Sequence, residues 1–245
     1  MTQAPAKDKL FSKRQRVIKD FNFGKQTAAV FDDMLLRSVP FYVEMQRMIT
    51  EMAVDFSVEG TNLYDLGCST GTSLLMLDPV VPKGVRFVGV DSSKDMLDKA
   101  RAKLKQSGIK RPFELVHADL NKEVTIENAS VVILNLTLQF IRPLRRHKLI
   151  RQIAEGLNPE GCLLLVEKVL SRHSTLNRFF IKYYYGFKER NGYTKTEIAQ
   201  KREALENVLI PYRLEENSEL LLANGFSQCE AFFKWYNFCG LIAVK

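Results

Sequence analysis

Leu63-Tyr64-Asp65-Leu66-Gly67-Cys68-Ser69-Thr70-Gly71 is the stretch that decides how this chain folds. Asn62–Leu66 reads as a strand, residues 67–71 as a turn, and Thr72–Leu77 as the start of a helix. A glycine at position 67 lets a ligand approach the backbone closely, because it carries no Cβ. The helix that follows aims unpaired N–H groups at whatever sits above the turn. Roughly 20 residues further on, Phe87-Val88-Gly89-Val90-Asp91 ends a second strand with an acid, placed to accept the protons of both ribose hydroxyls. The glycines are spaced G-x-x-x-G and not G-x-G-x-x-G, and Asp65 stands just before the turn. Both features disfavour a pyrophosphate. They favour a nucleoside that carries a cationic or amino group.

The same rhythm continues outward. After a strand at Val85–Val90 come a helix at Ser93–Gln106, strands at Phe113–Val116 and Ser130–Asn135, and a helix to about Leu157. Asn158-Pro-Glu-Gly161 turns into a fifth strand, Cys162–Val166, and strand-like runs at Ser227–Tyr236 and Gly240–Val244 close the chain. Apolar strands separated by helices of 10–15 residues indicate a mostly parallel sheet covered on both faces. The expectation is a single α/β domain over residues 1–245 with a seven-stranded sheet. A helical N-terminal extension (residues 1–60) precedes it, and a helical insertion (residues 172–216) precedes the last strand pair. In the extension, residues 1–20 are polar and basic. Ala28, Phe31, Met34 and Leu35, then Val43, Met45, Met48 and Ile49, recur near helical spacing on either side of a break at Ser38-Val39-Pro40.

Composition narrows the class. The chain has 245 residues, 46% of them hydrophobic and 26% charged, with a net charge of +8. That excludes disordered, collagen-like and coiled-coil classes. Its four cysteines lie far apart, with no C-x-x-C pair, which fits a reducing cytoplasm and neither a disulfide framework nor a zinc site. No apolar run spans a bilayer and no secretory leader opens the chain, so neither membrane nor secreted location is expected. Basic clusters occur at Lys7, Lys9, Lys13, Arg14, Arg16, Lys19 and at Arg142, Arg145, Arg146, Lys148, Arg151. They read as solvated faces or as tracks for phosphate. His117, His147 and His173 have no partner at metal-ligand spacing and read as surface or capping residues; no metal is expected. Trp235 and its aromatic neighbours read as packing for the last strands or a dimer face.

The insertion carries a second signal. Thr194-Lys-Thr-Glu197 is a capping box that opens a helix. Along it Ile198, Arg202, Leu205 and Leu209 fall on one apolar stripe, so Arg202 is expected on a buried face, where a guanidinium needs an anion. That anion is either a structural carboxylate such as Glu206 or the carboxylate of a ligand held in a bidentate clamp.

The glycine turn, Asp91, Asp119 in His117-Ala-Asp-Leu120 and Asn135 at the end of the fourth strand together resemble the class I S-adenosylmethionine (SAM) methyltransferases and their Rossmann-like fold. Further segments resemble the carboxy-S-adenosylmethionine synthases of the tRNA wobble-uridine (5-oxyacetyluridine) pathway. They include Val30-Phe-Asp-Asp-Met34, Tyr64-Asp-Leu-Gly-Cys-Ser69, Leu134-Asn-Leu-Thr-Leu-Gln-Phe140, Gly156-Leu-Asn-Pro159, Asn191-Gly-Tyr193, Gln200-Lys-Arg202 and Leu205-Glu-Asn-Val208. The likeness spans about residues 10–245. It departs from the family pattern at Phe21-Asn-Phe-Gly24-Lys25, Asp32-Asp33-Met34, Pro40-Phe41-Tyr42 and Ser92.

The resemblance implies a SAM-binding transferase that turns SAM and prephenate into carboxy-SAM and phenylpyruvate. It implies ligand contacts at Tyr42, Gly67, Cys68, Ser69, Asp91, Ser92, Asp119, Leu120, Asn135 and Arg202. Arg202 would hold the added carboxylate and act as the catalytic residue by positioning and charge stabilisation. It further implies a cytoplasmic homodimer that hands its product to a separate tRNA carboxymethyltransferase, with no direct tRNA binding of its own. Tyr183–Tyr185 are candidates for the prephenate side of the site. The alternatives are an ordinary SAM-dependent methyltransferase acting on a small molecule or RNA, motivated by the fold and the basic clusters, and a non-catalytic RNA-binding module that keeps a SAM pocket, motivated by the +8 charge.

Overall fold

The computed structural model describes residues 6–245. Two helices, α1 (Lys25–Ser38) and α2 (Tyr42–Phe56), precede the sheet. There follow β1 (Asn62–Leu66), α3 (Thr72–Leu77), β2 (Arg86–Asp91), α4 (Lys94–Gln106), β3 (Phe113–His117), β4 (Ala129–Asn135), α5 (Pro143–Gly156) and β5 (Leu157–Leu170). The insertion contributes α6 (Ser174–Arg190) and α7 (Lys195–Leu205). Then come β6 (Tyr212–Arg213), α8 (Leu214–Leu222), β7 (Gln228–Trp235) and β8 (Phe238–Val244).

The strands lie in the order β3-β2-β1-β4-β5-β8-β7. Neighbours from β3 to β5 are parallel, and β8 and β7 are antiparallel. Strand order reverses on either side of β1, and in such sheets the crevice beyond the carboxyl ends of the strands holds the ligand. The seven expected strands are all present. The structure adds β6, two residues that pair with Val169 and Leu170 at the far end of β5. The Asn158–Gly161 turn is an excursion within β5: Leu157 pairs with Ala129, and pairing resumes at Cys162 opposite Val131.

Alternation along the strands builds two cores. On one face Tyr64, Leu66, Leu163 and Leu165 meet Leu149, Ile150 and Ile153 of α5 and Leu220 and Leu221 of α8. On the other, Leu63, Cys162, Leu164 and Val166 meet Met45 and Ile49 of α2 and Leu74 and Leu77 of α3. The expected helix of the extension is therefore part of the domain's wall, although Val43, which shares its apparent periodicity, is exposed.

Residues 6–24 cross α1 and α7 as irregular chain. The Tyr193 hydroxyl donates to the Asp8 carboxylate at 2.7 Å, and the Gln15 amide donates to Gln200 Oε1 at 2.6 Å. The tail is thus fastened to the insertion from Asp8 onward; residues 1–5, part of the stretch expected to be poorly ordered, lie outside the described residues. One member of the second basic cluster also departs from expectation. Arg146 is only 1% exposed. It donates to the carbonyls of Ile141 at 3.0 Å and Ile210 at 2.6 Å and lies under the Tyr212 ring, so it braces the chain and reaches no solvent-borne phosphate.

Candidate functional site

One cavity of about 470 Å³ opens at the carboxyl ends of the parallel strands. Tyr42, Gly67, Cys68, Ser69, Asp91, Ser92, Asp119, Leu120, Asn135 and Arg202 all line it.

The glycine turn forms its floor. Gly67 has φ +82°, and a Cβ there would run into Thr137, so no other residue fits without displacing the chain. Ser69, at φ 47°, turns its amide toward β2 and donates to Asp91 Oδ2 at 2.9 Å. The Ser93 amide holds the other oxygen of Asp91 at 2.8 Å. The carboxylate is thereby clamped at the strand end, with lone pairs left for hydroxyl donors. Burial pushes its carboxyl up, against the pull of those amides. Asp119 accepts from the Asn121 amide through Oδ1 at 2.9 Å. Cys68 is buried, and its thiol is pushed well up by desolvation, so it is a wall and not a nucleophile.

Asp65 and Asn135 lie at the ends of β1 and β4, the pair of strands where the order reverses. Each leaves a buried side-chain oxygen with no hydrogen-bond partner, Asp65 Oδ2 and Asn135 Oδ1. Burial, with the charge of Asp91 adding to it, pushes the Asp65 carboxyl up to about 7. Orphaned acceptors of this kind inside a cavity suit a donor-rich, cationic ligand.

Tyr42 opens α2 behind Phe41, which has φ 52°. Gln46 Nε2 donates to the Tyr42 hydroxyl at 2.8 Å and to Ser73 Oγ at 3.2 Å, so the phenol is pinned between α2 and α3. The glycine turn has a second anchor that the sequence did not announce. The Thr70 hydroxyl donates to Asp32 at 2.6 Å, and Lys103 pairs with the same carboxylate at 2.9 Å. Asp32 lies in the Val30–Met34 segment used above only as a resemblance.

The reading of Arg202 needs correction. It is exposed, it lines the cavity, and among the described residues it makes no ion pair, with Glu206 or any other carboxylate. The buried face of α7 is Glu197, Ile198, Gln200, Lys201 and Ala204. The capping box forms as expected, the Glu197 amide donating to Thr194 Oγ1 at 3.2 Å. The helix ends at Leu205, however, so Leu209, the last residue of the expected apolar stripe, lies beyond it. The buried cation is Lys201, one residue earlier.

Other residues of the cavity escaped the sequence. Lys168 sits just past the fifth strand's expected end, and Lys188 lies in the last turn of α6. Both line the cavity, with Tyr184 between them. The general rule that ligands bind at carboxyl ends of parallel strands pointed to Lys168; nothing local pointed to Lys188. Of the aromatic run, Tyr184 and Tyr185 line the cavity, while Tyr183 is 44% exposed. Gln139 ties this wall together by accepting the Lys168 amide at 3.1 Å and donating to the Leu136 carbonyl at 3.1 Å. Among the described residues there is no cluster of metal-ligating side chains, and no helix is long and apolar enough to cross a membrane.

Comparison with known proteins identifies the family and the fold. Residues 63–161 match the family described as "Methyltransferase domain". A carboxy-S-adenosyl-L-methionine synthase from Methylococcus capsulatus is 56% identical over 98% of this chain and 100% of the relative. One from Sulfurimonas denitrificans is 45% identical over 97% of this chain and 99% of the relative. Among solved structures, a putative S-adenosyl-L-methionine-dependent methyltransferase from Methanococcus maripaludis superposes with a TM-score of 0.61 at 17% identity, covering 94% of this chain and 97% of that one, which shows the shared fold. The chain belongs to the carboxy-S-adenosyl-L-methionine synthase family, SAM-dependent transferases built on the class I methyltransferase fold.

Proposed function

We propose that this enzyme makes carboxy-SAM from SAM and prephenate, with phenylpyruvate as the second product. The observation that carries the reading is Arg202: a guanidinium that lines the same cavity as the glycine turn and has no protein anion to neutralise it. An ordinary methyl donor site has no need of a cation beside a sulfonium. A site that must hold a new carboxylate there does.

In this reading Asp91 holds the ribose hydroxyls, Asp119 and Leu120 meet the adenine, and Asp65 and Asn135 offer their free oxygens to the amino-acid end of SAM. SAM is a substrate, and its sulfonium acidifies the methyl protons. Prephenate loses carbon dioxide and hydroxide as its ring becomes aromatic. The hydroxide takes one methyl proton, giving water, and the methyl carbon forms a bond to the carbon dioxide. One SAM and one prephenate therefore give one carboxy-SAM, one phenylpyruvate and one water, and no side chain need serve as the base. Arg202 aligns the incoming carbon dioxide and neutralises the carboxylate that forms. The insertion covers the cavity and keeps bulk water from returning a proton to the methyl carbon. The homodimer, the cytoplasmic location, and delivery of the product to a tRNA carboxymethyltransferase belong to the same reading and rest on the family resemblance.

Mass spectrometry of the small molecule released on denaturing the purified protein tests it. A mass one carbon dioxide above SAM, formed anew after incubation with SAM and prephenate, is expected. SAM or its demethylated product alone after that incubation would overturn the reading and favour an ordinary methyltransferase.

A further inference from the structure

Three lysines converge on the insertion side of the cavity. Lys168 and Lys188 place their ammonium groups 4.7 and 4.9 Å from the centroid of the Tyr184 ring. Lys201 stands 3.7 Å from the Asp8 carboxylate and 3.4 Å from the Ser38 hydroxyl. Lys188 and Lys201 are 5% and 6% exposed. Asp8 is the one carboxylate among the described residues paired with any of them. Its neighbours on α1, Asp33 and Arg37, neutralise each other at 3.0 Å. The remaining groups facing the cluster are the Tyr184 and Tyr193 phenols, both neutral, with Arg202 and Glu206 exposed on the same cavity wall.

Burying like charges together is unfavourable, and an aromatic face offsets only part of the cost. Burial, with neighbouring cations adding to it, holds Lys168 and Lys201 down to about 8 and Lys188 well below its ordinary value. When all three amines are protonated, three positive charges face one negative, an excess of two. A cluster in that condition, open to a cavity, is complete only with a dianion in it.

We infer that Lys168, Lys188 and Lys201 form the binding subsite for a dicarboxylate co-substrate, taking its two carboxylates on the Tyr184 side of the cavity while Arg202 serves the carboxylate formed on SAM. The inference rests on the proposed reaction for the identity of the acid, and deepens it by assigning the residues that hold it. In prephenate three carbons separate the two carboxylates. The same spacing, with the same 2-oxo group, occurs in 2-oxoglutarate, which cannot aromatise and so reports binding without turnover.

The test is calorimetric titration of the SAM-saturated enzyme with 2-oxoglutarate at pH 8, in two buffers of different ionisation enthalpy, with pyruvate as the monocarboxylate control. Wild type is expected to bind 2-oxoglutarate more tightly than pyruvate and to take up protons as it does, because a dianion raises the affinity of the amines for protons. Lys188→Met and Lys168→Met are each expected to weaken 2-oxoglutarate at least about ten-fold and to reduce the proton uptake, with SAM affinity within about three-fold of wild type. Should Lys188→Met fail to fold, Lys168→Met carries the test, since that side chain is partly open to the cavity. Failure of wild type to bind 2-oxoglutarate, or equal affinity in wild type and variants, overturns the subsite. The reaction is judged separately: binding through the lysines with no carboxy-SAM formed from prephenate refutes the reaction and leaves the subsite standing. Carboxy-SAM formation with an unchanged prephenate KM in both variants refutes the subsite and leaves the reaction standing.

Discussion

Thr137 occupies the space that a side chain on Gly67 would need. The two residues belong to turns at the ends of adjacent parallel strands, β1 and β4, so the floor of the cavity is set by their contact. Gly67→Ala meets that obstacle and also the left-handed backbone, at φ +82°, which costs roughly 1–2 kcal/mol for a residue with a Cβ. The expected result is a loss of SAM affinity of at least about ten-fold with a lowered Tm. Adding Thr137→Ala removes the two side-chain atoms closest to the new methyl group. It should recover part of the affinity, by calorimetry, while leaving the backbone cost in place; no recovery would show that strain alone limits the variant.

Arg202 is exposed and unpaired, so replacing it should leave the fold nearly untouched, within about 0.5 kcal/mol by denaturant titration. Arg202→Ala is expected to bind SAM within about three-fold of wild type. It should lose carboxy-SAM affinity by roughly 10- to 100-fold, the value of a charged hydrogen-bonded contact. Equal affinity of wild type and variant for carboxy-SAM would remove Arg202 from the site.

Asp65 ties stability and binding to pH. Its folded-state carboxyl is raised to about 7, mainly by burial, against an ordinary value of 3.8. The folded state holds this proton more tightly than the unfolded chain. Its contribution to stability is therefore fully present below about pH 4 and is lost as pH rises to about 7. Glu167, raised to about 8 by burial, acts in the same direction. Asp65→Asn should flatten the ligand-free stability profile between pH 4 and 7, read as Tm, leaving the part due to Glu167. SAM, as a cation, should bind wild type more tightly as Asp65 ionises through about pH 7, and Asp65→Asn should lose that rise. An unchanged pH profile in the variant would remove Asp65 from both roles.

Arg146 supports the wall from behind. Arg146→Met strips donors from the carbonyls of Ile141 and Ile210 and takes the guanidinium away from Tyr212. The expected loss is about 2–5 kcal/mol of stability, a fall in Tm of roughly 2–4 °C for each. Arg151→Ala, in the same basic run but exposed, should change stability by less than about 0.5 kcal/mol. Equal effects would mean that the basic run acts as a surface patch.

The sheet was legible because its signals are local. Alternating strand and helix patterns, the glycine turn and the acids at Asp91 and Asp119 are each read from a few neighbouring residues between Leu63 and Asn135. The same stretch supplies eight of the ten ligand contacts that the resemblance implied, all of them on the cavity. The insertion side was harder. The expected stripe on α7 ran through Ile198, Arg202, Leu205 and Leu209, whereas the helix ends at Leu205 and buries the face that carries Ile198, Lys201 and Ala204, so Lys201 and not Arg202 is the buried cation. Lys168 and Lys188 are ordinary charged residues in sequence; they come together only where β5 and α6 bring them to the Tyr184 ring. Arg146 escaped for the same reason, since the carbonyl of Ile210 that it holds is 64 residues distant.

The fastening of the tail bears on the order of events during synthesis. Asp8 meets Tyr193, and Gln15 meets Gln200, across 185 residues in each case. Residues 8–15 therefore cannot make these contacts until residues 193–200 have been synthesised. Strands β1 to β5 can pair and close the nucleoside half well before then. Lys201 has no carboxylate partner until Asp8 arrives, so the glycine-turn side of the cavity can form early and the lysine side is completed last.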